Sequence, residues 1–476
     1  MSLRARNLSA VGTFLILATF FPHVASCSAD EPAGCDAKGP IARAVASTDA
    51  DAAARGYQLL RGKPYLPAEF PASAFDNIWR AWPSALQGAA KEATPEERRK
   101  MALSRYGLIE APEDPAGIPM AYISDGRGGW SLTCLSCHGG KVAGRSMPGL
   151  GNSHFAFTTL THEVMRAWML AGGKPAPWQL SRLTAYLGAS NGTIDAQVFS
   201  IQLTALRDDD MNVHFDAQMP PFAHHDLDAP PLWNVKKKKR LYIDGFAEKS
   251  PRTIMQFALY PENDSATIKG WEEDFRDILA WIESLEAPKY PFEIDKELAA
   301  RGEPIFRRAC AECHGTYGPA GEYPEKRVPI DVVNTDPVRL TGMPAEHRRR
   351  FGVGWLGEDG KRTAVEKPEG YVAPPLDGVW ASAPYLHNGS VPTLWHLFHS
   401  DSRPVVWLRT EDGYDQTRVG LEVTTLDDLP AAAKDAAEKR RYFDTRLSSK
   451  SAAGHTFPDD LAEDEKQAVM EYLKTL

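Results

Sequence analysis

The sequence predicts a mainly α-helical fold made of two units that are joined near residue 290 and elaborated by long loops. Apolar residues recur at helical spacing through much of the chain, and alternating β-branched residues are sparse. The segment Glu286-Ala287-Pro288-Lys289-Tyr290-Pro291 interrupts the helical pattern, and the string Cys-x-x-Cys-His occurs once on each side of it. A length of 476 residues is comfortable for two units. We therefore predict one unit at residues 49–287 and a second at 292–476.

The elements follow from local signals in chain order. Helical periodicity dominates residues 49–105, where Thr94 and Pro95 form a typical helix start. Further helices are predicted at 159–187, 197–206, 271–285, 294–310 and 459–476. Two segments rich in proline and in glycine or aspartate, residues 214–233 and 315–384, are predicted to be irregular loops.

The N-terminus has the features of an export signal. Arg4 and Arg6 precede an apolar run from Val11 to Phe21, which is too short to span a bilayer. Val24-Ala25-Ser26-Cys27 resembles a bacterial lipobox, so two interpretations stay open: a lipoprotein signal at 1–26 with Cys27 lipidated, or a signal at 1–29. Residues 30–48 are predicted to be a linker. We expect a periplasmic or secreted protein, with membrane contact only if Cys27 is lipidated.

The cysteines predict covalent cofactor attachment. Four of the six lie in Cys134-Leu135-Ser136-Cys137-His138 and Cys310-Ala311-Glu312-Cys313-His314, and the other two are Cys27 and Cys35. Two thiols three positions apart lie on one helical turn and can both add to the vinyl groups of one porphyrin, while the next histidine ligates the iron. The sequence therefore predicts two c-type haems, ligated by His138 and His314, in two cytochrome c-like haem domains.

Other uses of these residues fit the sequence less well. A zinc site would draw its ligands from paired knuckles, and the two strings are too far apart in the chain to form one finger. A thioredoxin-like dithiol would need a βαβ context, which is not predicted. The net charge of −9 argues against a nucleic-acid partner, which would require a basic face.

The ligand on the far side of each iron decides between electron transfer and chemistry on a bound molecule. For the second haem, Met343 and His387 are both candidates by sequence position. For the first haem, several residues are candidates and none stands out: His154, His162, His214, His224, His225, Met147, Met165 and Met219.

Several segments together carry a family resemblance. The run from Pro374 to Leu394, which contains Trp380-Ala381-Ser382-Ala383-Pro384-Tyr385-Leu386-His387-Asn388-Gly389-Ser390, resembles the signature of the di-haem cytochrome c peroxidase superfamily. The branch that contains the bacterial rubber oxygenase is the most similar. Residues 134–140, 148–153, 310–319 and Gly454-His455-Thr456-Phe457 agree with it. The resemblance implies that His387 is the second axial ligand of the C-terminal haem, with Met343 as runner-up and Tyr385 as a more remote option.

The resemblance also implies an open iron at the first haem. The segment from Lys239 through Phe257 is similar to the distal region of rubber-oxygenase relatives, which assigns Tyr242 and Phe257 to an apolar distal pocket. Peroxidases of the superfamily use a polar acid or base residue near the iron, and none is identified here. The basic run Lys236–Arg240 is interpreted as a solvated face, or as a partner of haem propionates.

The expected function is an exported oxidoreductase that activates dioxygen or peroxide at the N-terminal haem and uses the C-terminal haem as an electron relay. One alternative is a pure electron-transfer cytochrome with both irons six-coordinate, and another is a lipoprotein that docks to a partner complex. The expected partner is a redox protein or a small-molecule oxidant, and the substrate is left open. Trp130, Trp271 and Trp380 are candidates for an aromatic bridge between the haems.

Overall fold

The computed structural model describes residues 49–111, 113–114, 116–177, 179–180 and 189–476, and the side chains of 49, 411 and 412 are not described. The predicted export signal at 1–29, with its alternative at 1–26, Cys27, Cys35 and the linker at 30–48 all lie outside the described residues. Among the described residues, no helix combines the length and the apolar character that a membrane crossing requires.

Helix is the predominant regular structure, as predicted, at about 43% of the model against 13% strand. The helices of the described residues are α1 (Asp49–Gly62), α2 (Ala72–Asp76), α3 (Ser84–Glu92), α4 (Pro95–Tyr106), α5 (Leu135–His138), α6 (Phe157–Leu170), α7 (Ala196–Ala205), α8 (Pro251–Met255), α9 (Ser265–Gly270), α10 (Glu272–Ser284), α11 (Lys296–Ala309), α12 (Ala311–His314), α13 (Ile330–Val333), α14 (Val338–Thr341), α15 (Ala345–Val353), α16 (Leu394–Phe398), α17 (Ala436–Arg440) and α18 (Glu463–Leu473).

The strands are short and form small antiparallel sheets. They are β1 (Phe70–Pro71), β2 (Tyr122–Ser124), β3 (Gly129–Leu132), β4 (Gly139–Val142), β5 (Arg145–Pro148), β6 (Thr193–Ile194), β7 (Leu227–Asp228), β8 (Arg240–Leu241), β9 (Ala247–Glu248), β10 (Arg327–Pro329), β11 (Gly370–Val372), β12 (Val406–Asp415), β13 (Gly420–Leu426) and β14 (Tyr442–Asp444). Two sheets have three strands, in the orders β1-β3-β2 and β13-β12-β14.

Two helix pairs frame the fold. Helix α1 packs on α10, where Arg55 donates to Asp277 at 2.7 Å and Gly56 allows close approach, since a Cβ there would lie 2.0 Å from the Asp277 carbonyl oxygen. Helix α11 packs on α18, where a Cβ at Gly302 would lie 1.9 Å from the Ala468 carbonyl oxygen. Each pair therefore brings an early helix of one predicted unit against its last helix.

Most predicted helices are present with shifted ends. Thr94 caps α4 as expected, and Glu97 completes a capping box with it. The helix predicted at 159–187 is α6, which ends at Leu170, and residues 181–188 are not described. The terminal helix begins at Glu463 instead of 459, because residues 457–460 form a 3₁₀ turn. The sheet of β12, β13 and β14 was not predicted.

The apolar cores draw on both predicted units. Met343, Phe351, Trp355 and Leu356 from the second unit pack in the core that contains α1 and α10. Trp233 from the first unit packs in the core that contains α11 and α18. Residues of the predicted loop 315–384 thus pack in a core of the first predicted unit. The division of the chain at residues 287–292 stays a prediction.

Candidate haem sites

The first Cys-x-x-Cys-His string forms a single helical turn, α5, followed directly by the β4–β5 hairpin. The backbone around His138 is held by the next loop, because Gly149 N donates to the His138 carbonyl at 2.7 Å and Asn152 N donates to the Cys137 carbonyl at 2.8 Å. The ring is fixed as well, with Nδ1 of His138 lying 3.0 Å from the Pro230 carbonyl oxygen. This contact leaves Nε2 as the nitrogen that can ligate a metal.

The first string lines a crevice. Cys134 is solvent-accessible although protein atoms surround it, which is the situation of a side chain on the wall of a cleft. Burial raises the pKa of the Cys134 and Cys137 thiols to about 11, and it lowers the pKa of His138 to about 4. The string therefore offers two free thiols and a neutral imidazole to the same crevice.

The second string has the same local structure. Cys310 ends α11, α12 carries Cys313 and His314, and Nδ1 of His314 lies 2.8 Å from the Pro374 carbonyl oxygen. Tyr317 braces this arrangement, since its hydroxyl donates to the His314 carbonyl at 3.0 Å and accepts from Leu376 N at 2.6 Å. Burial lowers the pKa of His314 here too.

A short repeat that the sequence analysis missed supplies both carbonyls. Pro230 and Pro374 are each the first proline of an Ala-Pro-Pro-Leu segment, at residues 229–232 and 373–376. The two segments are also joined to each other. Trp233 Nε1 donates to the Asp377 carbonyl at 2.7 Å, and Asn234 Nδ2 donates to the Pro375 carbonyl at 3.1 Å. The supports of the two histidines are therefore one connected structure.

His455 is the residue that lies beside His314. The centroids of the two rings are 6.1 Å apart, and burial followed by the proximity of His314 lowers the pKa of His455 to about 4. Two axial imidazoles on one iron have ring centroids roughly 6 Å apart when each Fe–N bond is about 2 Å. Sequence reasoning did not propose His455 as a ligand, although Gly454-His455-Thr456-Phe457 was part of the family resemblance.

His387 and Met343 lie in other surroundings. The His387 ring packs on Tyr371 with centroids 4.5 Å apart, and burial together with the nearby charges of His225 and Arg339 lowers its pKa to about 3. Met343 is buried in the core that contains α1 and α10. The geometry favours His455 over both of them as the partner of His314, because only His455 has a ring contact with it among the described residues. The predicted roles of His387 and Met343 are not otherwise tested.

Tyr242 and Phe257, the predicted distal-pocket residues, lie close together. Gln256 links them, because it precedes Phe257 and its Nε2 donates to the Tyr242 hydroxyl. Burial raises the pKa of Tyr242, and Cys134 is near enough to add to the increase. The Phe257 ring stacks on Phe199 of α7, with centroids 6.1 Å apart. The structure thus groups both residues on the side of the first string, and their role in catalysis stays a prediction.

Three of the other candidate ligands of the first haem, all histidines, are in contact with polar groups elsewhere in the chain. His154 Nε2 lies 3.1 Å from the Thr410 carbonyl oxygen, His214 pairs with Asp208, and His224 pairs with Asp195. His138 has no ring contact like that of His314 with His455 among residues that the structure describes. Among the described residues, a second histidine ring therefore lies beside His314 and none lies beside His138.

The candidate bridging tryptophans lie in apolar cores. Trp130 packs with Phe75, and Trp271 packs with Tyr65. Trp380 donates through Nε1 to the Pro288 carbonyl at 2.8 Å. Trp233 was not among the predicted bridges, yet it is the tryptophan that connects the two Ala-Pro-Pro-Leu segments.

The donor sets fit c-type haem. In each string two free thiols stand next to an imidazole whose Nδ1 is engaged by a carbonyl, and the imidazole lies in a region where burial keeps it neutral. A neutral, oriented imidazole is the form that ligates iron, and two thiols next to it are the groups that can form thioethers with one porphyrin.

Comparison with known proteins agrees with this chemistry. Residues 370–408 match the family described as RoxA-like, cytochrome c-like, a segment that includes Pro374 and His387. This match supports a relationship to RoxA-like c-type cytochromes, and a cytochrome c-like domain implies a c-type haem with its iron.

Two uncharacterized proteins of Sinorhizobium fredii (strain NBRC 101917 / NGR234) are similar to the chain. Protein y4iM is 30% identical over 280 residues, which cover 52% of this chain and 62% of y4iM. Protein y4iJ is 28% identical over 265 residues, which cover 40% of this chain and 41% of y4iJ. The chain therefore spans less than two thirds of the length of either relative.

Proposed function

We propose that this chain is an exported di-haem c-type cytochrome of the di-haem peroxidase superfamily that acts as an oxidoreductase on dioxygen or peroxide. One observation carries the proposal: both Cys-x-x-Cys-His histidines are held by the carbonyl of an Ala-Pro-Pro-Leu proline, but among the described residues only His314 faces a second imidazole, that of His455. The two strings are alike, but a second histidine ring lies opposite only one of the two histidines. This difference favours one site that binds a reactant and one site that only transfers electrons.

In this proposal, different residues serve the electron-transfer site and the reactive site. A bound haem supplies an iron that can exchange electrons and, where one axial position is open, can bind dioxygen or peroxide. At the C-terminal site, His314 and His455 would hold the iron between two imidazoles, and an iron held in this way would supply electron transfer. Tyr242 and Phe257 exclude bulk water at the N-terminal site. Trp233 joins the two supports through its hydrogen bond to the Asp377 carbonyl.

The test is a count of haems followed by a ligand-binding experiment. The pyridine haemochrome spectrum of the purified protein should give two haems per chain, and carbon monoxide should bind one of them after reduction. A count of one contradicts the di-haem proposal. A count of two with neither iron binding carbon monoxide or cyanide supports the alternative, a pure electron-transfer cytochrome.

A separate test addresses export and anchoring. Thioether attachment of haem takes place outside the cytoplasm, and residues 1–29 have the features of an export signal, so we expect the protein in the periplasm or the medium. A radiolabelled lipid precursor should label the wild type and not Cys27→Ala if Cys27 is the anchor. Equal absence of label in both proteins supports cleavage near Ala29 and a protein free of the membrane.

A further inference from the structure

The interior between the two strings contains a cluster of three buried charges. Asp244 follows β8, Arg339 lies on α14 and Arg348 lies on α15. The Asp244 carboxylate is 3.1 Å from Arg339 and 2.8 Å from Arg348, and the side chains are 0%, 4% and 0% exposed, respectively. Two guanidinium groups and one carboxylate leave one positive charge without a partner in this cluster.

A second buried carboxylate, Asp336, makes no ion pair with either arginine among the described residues. Its two oxygens accept from the backbone N–H groups of Val338 and Ser451. Among the described residues, Asp244 is therefore the carboxylate in ion-pair contact with the two arginines. Burying an unpaired charge is unfavourable, so the cluster as it stands calls for a further anion.

Of the two arginines in the cluster, Arg339 is the one with a buried nitrogen that lacks a hydrogen-bond partner among the described residues. Its Nε is buried and has no partner in the described part of the chain, whereas one of its terminal nitrogens donates to Asp244. By contrast, the Nε and both terminal nitrogens of Arg207, another buried arginine, donate to backbone carbonyls. A guanidinium with free N–H groups presents the planar fork that binds a carboxylate.

The cluster has residues near both Cys-x-x-Cys-His strings in its neighbourhood. The Arg339 guanidinium is 5.5 Å from the centroid of the Tyr242 ring, and Tyr242 lies near Cys134. On its other side, Leu340 and Tyr371 share a small core with Cys313, and the Tyr371 ring packs on His387. The anions that the proposed function brings to this region are the haem propionates.

We infer that Arg339, supported by Asp244 and Arg348, binds a propionate carboxylate of a haem and so raises the reduction potential of that haem. The inference rests on the proposed di-haem function. Pairing the propionate with a cation offsets a negative charge near the iron, which favours the ferrous over the ferric state. Asp244 and Arg348 are positioning residues, because they orient Arg339 and neutralise part of the charge.

The first experiment is a spectroelectrochemical titration of holoprotein carrying Arg339→Gln. At an effective dielectric constant of about 20, a unit charge removed at about 10 Å changes an equilibrium constant roughly tenfold. At the wild-type midpoint potential, the ferrous-to-ferric ratio of one haem should therefore fall roughly tenfold, about 59 mV for one electron. Arg207→Gln, which also removes a buried arginine, should leave both potentials unchanged.

The direction of the shift in reduction potential distinguishes an effect of charge from an effect of altered packing. Asp244→Asn leaves the cluster more positive and should move the ferrous-to-ferric ratio in the opposite direction, whereas a general loosening of the interior would move both variants the same way. Equal potentials in Arg339→Gln, Asp244→Asn and wild type overturn the inference. Where a variant does not fold, Arg339→Lys serves instead: resonance Raman bands of the propionate bending modes should shift, and unshifted bands overturn it.

Singly loaded proteins identify the source of the propionate. A Cys310→Ala, Cys313→Ala protein carries a haem only at the first string, and a Cys134→Ala, Cys137→Ala protein only at the second. An Arg339→Gln shift retained in one of them assigns the propionate to that haem, and a shift in neither overturns the inference. A wild-type count of one haem per chain would instead overturn the di-haem proposal on which this inference rests.

Discussion

At the residue scale, one carbonyl contact orients the histidine of each Cys-x-x-Cys-His string. The Pro230 and Pro374 carbonyls engage Nδ1 of His138 and His314, which sets the tautomer and directs Nε2 outward. The Pro-Pro pair suits this task, because the first proline has a fixed φ and the second restricts the ψ of the first, so the carbonyl position is preset. The same chemistry does not reveal the opposite ligand, which the ring contact of His314 with His455 suggests instead.

At the C-terminal site that we propose, His455→Ala should remove one of the two imidazoles that would hold the iron. We expect the low-spin signature of one haem to become high-spin in the electron paramagnetic resonance spectrum, with the haem count unchanged. His387→Ala is the matched control, since His387 packs on Tyr371. A low-spin signal lost in His387→Ala and kept in His455→Ala would restore the ligand assignment made from the sequence.

Trp233→Phe tests the connection between the two supports. The variant keeps an aromatic ring but leaves the Asp377 carbonyl without its donor, which should lower the free energy of unfolding by about 1–3 kcal/mol in a urea titration. Electron exchange between the haems should also slow in stopped-flow reduction. Trp407→Phe loses a similar bond, to the Ser390 carbonyl at 3.1 Å, and should cost similar stability without slowing exchange.

At the element scale, close backbone contacts position the first haem string. The β4–β5 hairpin and the loop at residues 148–153 enclose α5, and Gly140 makes this possible because a Cβ there would lie 2.3 Å from the Gly151 carbonyl oxygen. The same loop donates to the carbonyls of Cys137 and His138. A change at Gly140 is therefore transmitted to the attachment site.

Gly140→Ala should displace this loop and reduce haem attachment at the first string. Overpacking of this kind costs about 1–3 kcal/mol, so we also expect a lower urea midpoint. The haem count per chain from the pyridine haemochrome spectrum is the measurement. Gly88→Ala in α3 is the control, because a Cβ there meets no atom within 4 Å and should stabilise the helix by about 0.5–1 kcal/mol. Full attachment in Gly140→Ala would contradict the role of the loop.

At the scale of the whole molecule, the predicted units share their cores. Residues of α15 and its neighbours pack with the first unit, and His347 on α15 makes a 2.8 Å hydrogen bond between its Nε2 and Thr204 Oγ1 of α7. Burial, and then the charges of Arg350 and Arg348, lower the pKa of His347 from 6.5 to about 4. The junction between the units thus contains a histidine that is neutral in the folded state.

This histidine should make the fold acid-sensitive. Between pH 6.5 and 4 the unfolded chain binds a proton at His347 that the folded chain does not, so stability falls as pH is lowered through this window and levels off below it. The loss is about 3 kcal/mol at most. Urea unfolding of the wild type and of His347→Gln from pH 7.5 to 4 should give a flatter pH dependence for the variant. Parallel curves would contradict the assignment.

The sequence predicted several helices well but did not predict the sheet of β12, β13 and β14. Helices α4, α7, α10 and α11 were predicted within a few residues, because capping and amphipathic spacing are local signals. The sheet of β12, β13 and β14 was missed. Strand pairing depends on partners far along the chain, such as Trp407 with Phe443, and the segment carries no strict alternation.

The attachment chemistry could be predicted from the residues alone. Two thiols and a histidine at this spacing are typical of a c-type haem site, since covalent attachment needs only residues that lie on one turn. The residues that complete each candidate site became visible in the folded chain. Pro230 lies 92 residues after His138, Pro374 lies 60 residues after His314, and His455 lies further still. Such contacts depend on how distant segments pack, which spacing along one sequence does not encode.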